Sequence, residues 1–170
     1  MESQQVLSDA FERIRDSVHP AVNALTVDQL SFRVDSGSNS IAWLVWHLTR
    51  IQDDHVAGLS GGAQVWTAGP WYERFALPLE PSDTGYGHGP DDVSKVSAGA
   101  NLLLDYFEDV HQATLAYLGT LSPNDLERVI DRSWDPPVTV GIRLVSVIAD
   151  GLQHAGQAAY VRGVVERLDS

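Results

Sequence analysis

TVGIRLVSVIADGLQHAGQAAYVRGVVERL, residues 139–168, holds no proline and repeats its apolar side chains at three- and four-residue intervals. That spacing predicts one long α-helix, with Thr139 placed to cap its start. Ile142, Val145, Ala149, Leu152, Gly156 and Ala159 form one apolar seam. Leu144, Val147, Gly151, Ala158, Val161 and Val165 form a second. A helix that is apolar on two sides packs between neighbouring helices, so the rest of the chain has to supply those neighbours.

Three further segments carry the same period. Leu7, Ala10, Ile14, Val18, Ala21 and Leu25 make one helix face, which Pro20 is expected to kink or break. Ile41, Leu44, Leu48 and Ile51 make another, with Ser38 or Asn39 as the expected N-cap and Gly61-Gly62 as the stop. Leu103, Phe107, Val110, Thr114, Tyr117 and Leu121 make the third. Thr26 and Gln29 have capping-box spacing, and Ser122-Pro123 reads as a cap followed by proline at the first helical position. Between Gly61 and Ser97 the period is lost among glycines and prolines, which predicts a long connection with one short helix near Trp71–Leu77. The expected fold is all-α: a four-helix bundle with one long crossover, formed by residues 1–170 as a single domain.

Composition narrows the function. The chain has 170 residues, 44% of them hydrophobic, with 11 basic against 23 acidic side chains and a net charge of −12. That is a globular composition with an acidic surface that repels phosphate backbones and anionic lipid, so neither nucleic acid nor membrane is an expected partner. No apolar run approaches the ~20 residues of a membrane span, and the first sixteen residues are too polar for a signal peptide. A cytoplasmic location is the expectation. There is no cysteine, which removes disulfides, thiolate metal sites and a cysteine nucleophile. No phosphate-binding loop or H-E-x-x-H is present. Gly85-Tyr86-Gly87-His88-Gly89 lacks the third glycine of a dinucleotide fingerprint and reads as a flexible loop.

The informative residues are polar ones on apolar helix faces. Asp150 and His154 are four apart, so their side chains stack on one side of the last helix among Val147, Gly151, Ala158 and Val161. A buried carboxylate and imidazole pair with one another or bind something. His47 lies on the inner edge of the second long helix beside Leu44, Leu48 and Ile51. Two histidines and a carboxylate are a ligand set for zinc and for open non-haem iron sites, and bundles build such sites from facing helices. Weaker candidates surround these three. Asp54 projects the same way as His47, about 10 Å along the axis, either behind the ligands or as a helix-end charge. His55 is placed to line the mouth, His111 is a substitute ligand should Asp150 fall short, and Gln157 and Arg162 could hold a ligand or face solvent. His19 and His88 read as solvent-facing. The five tryptophans read as core or pocket wall, with Trp66 and Trp71 as candidates for a lid.

Asn39-Ser-Ile-Ala-Trp-Leu-Val-Trp-His47-Leu48 resembles the second helix of the DinB-like superfamily, and Asp150-Gly-Leu-Gln-His154-Ala-Gly-Gln-Ala-Ala-Tyr160-Val-Arg-Gly163 resembles its fourth. The resemblance implies a four-helix bundle holding a divalent metal through His47, Asp150 and His154. Many members have three histidines. The branch with mycothiol-dependent maleylpyruvate isomerase has glutamate at the position of Asp150, so this chain keeps the charge on a shorter side chain. Zinc or nickel is the implied ion, with iron as an alternative. The implied activity is a transferase or isomerase that activates a low-molecular-weight thiol, such as mycothiol, toward an electrophile. The missing cysteine fits a sulfur supplied from outside. A metal-dependent hydrolase or oxygenase, a non-catalytic metal-binding or stress-response module, and a homodimer remain open on the sequence.

Overall fold

The computed structural model describes residues 2–168. Four long helices carry it: α1 (Ser3–Val22), α3 (Ile41–Ser60), α7 (Ala100–Leu118) and α9 (Val140–Leu168). The connections hold the short helices α2 (Val27–Ser31), α4 (Val65–Ala68), α5 (Trp71–Phe75), α6 (Pro90–Val93) and α8 (Pro123–Leu126). A small antiparallel pair, β1 (Val129–Asp131) with β2 (Val138–Thr139), leads into α9. Helix α9 packs on α1 and α3, and α7 packs on the same two from the other side. The protein is an all-α bundle, and nearly all of its buried apolar side chains join in one cluster.

Local chemistry explains most boundaries. Ser40, rather than Ser38 or Asn39, caps α3: its hydroxyl accepts from the Trp43 amide at 3.1 Å. Gly61 ends that helix in the left-handed region at φ 71°. Thr26 and Gln29 form the expected capping box, as do Ser122 and Asp125. Thr139 accepts from the Ile142 amide at 3.3 Å at the start of α9. Helix α1 continues through Pro20 and ends two residues later. A proline this near the C-terminus removes one helical hydrogen bond and leaves the earlier turns intact. Arg162 then donates to the exposed carbonyls of Pro20 and Asn23, at 2.6 and 2.7 Å. It closes the end of α1 rather than holding a ligand.

The two seams of α9 have different fates. Leu144, Val147, Gly151, Ala158, Val161 and Val165 are buried, whereas Val145 is 59% exposed and Ile142 and Leu152 are exposed as well. In a four-helix array each helix has only two close neighbours, so one arc of α9 is covered and the other faces outward. On the covered arc α9 approaches α1 closely. A Cβ at Gly151 would lie 2.9 Å from Ile14 Cδ1.

The crossover between α3 and α7 contains three short helices, not one. Its start is pinned by a buried ion pair on α3. Asp53 accepts from the amides of Val65 and Trp66, both at 2.8 Å, and from the Tyr106 hydroxyl at 2.9 Å. Arg50 lies 3.4 Å from Asp53, sits over the Trp66 ring, and donates through Nε to the Asp83 carbonyl at 3.1 Å. Burial pushes the Asp53 carboxyl up, and these donors pull it back. Trp66 and Trp71 pack around Tyr106 and are buried, so they are core side chains and form no lid. Trp134, expected in the core or a pocket wall, is 66% exposed.

Replacing Asp53 by alanine leaves Arg50 buried without its counter-charge and two crossover amides without an acceptor. The expected loss is about 3–5 kcal/mol, read from urea unfolding monitored by tryptophan fluorescence. A loss below about 1 kcal/mol would contradict the pinning role.

Candidate metal centre

Helices α3 and α9 run side by side, and their inner faces carry the three sequence-selected residues. One donor atom each from His47, Asp150 and His154 lie within 4.8 Å of one another. His154 Nε2 stands 3.4 Å from Asp150 Oδ1, and the two imidazole rings are 4.9 Å apart, edge to face. Three ligands at the usual 2.0–2.2 Å from one tetrahedral ion stand roughly 3.4 Å apart, the spacing at which Asp150 Oδ1 stands from His154 Nε2.

Each imidazole has its other nitrogen engaged. His47 Nδ1 is 2.6 Å from the Thr84 carbonyl, which can only accept, so Nδ1 carries the proton and Nε2 offers its lone pair inward. His154 Nδ1 is 2.9 Å from Gln157 Oε1, which turns Nε2 toward Asp150 Oδ1. Asp150 Oδ2 is buried without any hydrogen-bond partner. A carboxylate with one unsatisfied oxygen beside two imidazole nitrogens is a donor set that a divalent cation satisfies. His47 is nearly covered, while Asp150 and His154 are partly open to solvent. Access is therefore from the α9 side.

A clamp of aromatic groups surrounds His47. Trp43 stacks on its ring at 4.5 Å. Trp43 Nε1 donates to His88 Nδ1 at 3.0 Å, and His88 Nε2 in turn donates to Asp83 Oδ1 at 2.9 Å. His88, expected in solvent, is 7% exposed and stacked on Trp46. The segment Gly85–Gly89, expected as a flexible loop, is a turn pressed against α3. Glycine-flanked residues carry no periodicity, so the only sequence signal for this contact was a histidine set among alternating glycines.

The remaining candidates fall elsewhere. Asp54 accepts from Gln64 at 2.7 Å and steadies the start of the crossover. His55 is half-buried, with burial pushing its pKa down and Arg143 adding to that effect. His111 is buried on α7, stacked on Phe107 and 3.3 Å from Glu12, and it belongs to no group with the other three. His19 pairs with Glu108. Gln157 does contribute, as the partner of His154.

Residues 10–158 match the family model of the DinB superfamily. The chain belongs to the DinB superfamily. The crystal structure of a conserved protein from Enterococcus faecalis shares 33% identity with this DinB-family chain. The alignment covers 97% of this chain and 98% of that one, with a TM-score of 0.91. A comparison with curated proteins finds no match. Among the described residues of this family member, no helix is long and apolar enough to cross a membrane.

The two histidines are pushed in opposite directions. Burial lowers the His47 pKa below the ordinary imidazole value, against the pull of Thr84. The hydrogen bond to Asp150 raises that of His154. Near pH 6.5 the metal-free protein should therefore carry the second, charging proton on His154 and not on His47. The raised group adds stability below the ordinary imidazole value and loses it as pH rises through its folded pKa, whereas the lowered group does the reverse. Two-dimensional NMR titration should place His47 below and His154 above the ordinary imidazole range. Zinc uptake near pH 6.5 should then release a proton, and this release should fall as pH rises, as read by calorimetry in buffers of different ionisation enthalpy. Release that does not change with pH would contradict the assignment.

Proposed function

We propose that this chain is a metal-dependent enzyme that activates a low-molecular-weight thiol, as an S-transferase or isomerase. Its divalent ion would be held by His47, Asp150 and His154. The observation that carries the reading is the convergence of two imidazole nitrogens and one incompletely satisfied carboxylate from facing helices. Zinc or nickel suits this mixed nitrogen and oxygen set, and iron is the alternative. Such an ion, when bound, makes a coordinated thiol or water far more acidic and so supplies a nucleophile near neutral pH.

The chain's own residues do the rest. Two neutral imidazoles and one carboxylate leave a divalent ion with a net positive charge, which favours an anionic sulfur over a neutral one. Thr84 and Gln157 hold the imidazoles in the tautomer that donates through Nε2. The Trp43 ring covers one face of His47 and keeps water from it. Three protein ligands leave positions open, as catalytic rather than structural sites do, and the solvent-exposed edges of Asp150 and His154 give small molecules a way in. With no cysteine in the chain, no protein thiol competes for the ion. In the proposed reaction the thiol loses its proton to solvent and the sulfur lone pair forms a bond to an electrophilic carbon, while that carbon's leaving group departs with its bonding pair or its π pair shifts to the conjugated oxygen, which solvent then protonates.

Protein purified without added metal should carry close to one divalent ion per chain. His47→Ala and His154→Ala should each abolish this while leaving the helical circular dichroism unchanged. A panel of thiols and electrophiles, mycothiol among the thiols, should show free thiol consumed by the holo protein only. Metal retained in both variants would remove the ligand set. Metal lost in both, with no thiol consumed and no thiol perturbing the spectrum of the cobalt-substituted site, would remove the transferase reading and leave a metal-binding module.

A further inference from the structure

The crossover does more than join α3 to α7. At Asp83–His88 it touches the side of His47 that faces away from Asp150 and His154. The Thr84 carbonyl accepts from His47 Nδ1 at 2.6 Å. The next residue, Gly85, has φ +87°, and a Cβ there would lie 2.7 Å from His47 Nδ1, 3.1 Å from Trp46 Cζ3 and 3.2 Å from Trp43 Cζ2. All three neighbours are rigid rings, so none can yield as a flexible side-chain end would. Only glycine lets the backbone come this close in this conformation.

The turn is held from both ends. Asp83 Oδ1 accepts from the Gly85 amide and from His88 Nε2, each at 2.9 Å. The His88 amide donates to the Gly85 carbonyl at 3.1 Å. His88 Nδ1 accepts from Trp43 Nε1, and the Trp43 ring stacks on His47. The Asp83 carbonyl is held by Arg50. The His88 side chain is nearly buried and both of its ring nitrogens are used, so its place is structural.

We propose that Thr84, Gly85 and His88 are positioning residues for the metal ligand His47: the turn fixes the ring's orientation and keeps its proton on Nδ1, so that Nε2 faces Asp150 and His154. The inference rests on the metal-centre reading but concerns a different part of the chain. Residues that orient a ligating histidine typically change metal affinity 10–100-fold when removed.

Two variants and a control test it. Gly85→Ala forces the turn away from His47. His88→Phe keeps a ring against Trp46 but loses both hydrogen bonds. Tyr86→Ala alters the same turn at a side chain that is 88% exposed. Zinc affinity by chelator competition should fall about 10–100-fold in the first two and less than about twofold in the third. Long-range proton–nitrogen NMR of the metal-free protein should show His47 as the Nδ1–H tautomer in wild type, with a mixture in Gly85→Ala and His88→Phe. Urea unfolding identifies any variant that fails to fold, and the other variant then carries the test. Wild-type zinc affinity together with an unchanged His47 tautomer in both variants would overturn the proposal, even if His47→Ala abolishes binding. If zinc binds to none of the proteins but the tautomer shifts as expected, the positioning role stands and the metal reading falls. If zinc binds to none of the proteins and the tautomer is unchanged in both variants, both fall.

Discussion

A buried ion pair on α3 governs how this bundle is closed. Arg50 and Asp53 sit one turn apart in the interior, where either charge alone would be costly. They are tolerated because the crossover brings them partners. Asp53 takes the amides that begin α4 and the Tyr106 hydroxyl from α7, and Arg50 takes the Asp83 carbonyl. A connection that lacks long regular elements is thereby tied to the same helix at two points. The second tie lies next to the turn that bonds His47. The polar interior and the candidate metal centre are thus linked through one segment of backbone.

The centre depends equally on how α9 is built. Its covered arc alternates branched apolar residues with Gly151, Ala155 and Ala158. Small residues let helices approach, and Gly151 sits against Ile14 with no room for a methyl group. Asp150 and His154 flank that contact and turn toward α3, where His47 waits with its inner nitrogen free. Burial and pairing then act oppositely on the two histidines: His47 is held neutral, and His154 is drawn toward the proton by Asp150. A cation that replaced that proton would satisfy all three groups together, including the Asp150 oxygen that has no partner. The geometry brings the three side chains together, while the chemistry proposed there rests on the open coordination such a ligand set would leave.

Four helices, the capping box at Thr26 and Gln29, the stop at Gly61 and the set of His47, Asp150 and His154 were all legible in the chain. Each is local: a period of three and four, a cap two or three residues from its partner, a pair one turn apart. The period, the caps and the Asp150–His154 pair need only the helix they lie on, because the helix itself turns spacing into direction, whereas joining His47 to that pair drew on the resemblance to the family.

What lay beyond the sequence was decided between elements. Both α9 seams were equally apolar as written, and only the number of neighbours in the bundle left Val145 outside and Val147 inside. Pro20 carries the same backbone restriction wherever it falls, and its place in the last turn of α1 made it harmless. Trp66 and Trp71 became core because the Asp53 carboxylate draws the crossover onto Tyr106. His88 became a buried partner of Trp43 because Gly85 allows the turn to reach α3. A glycine-rich segment carries no period from which direction can be read, so contacts made across 37 residues, as between His47 and Thr84, exist only once the helices are packed.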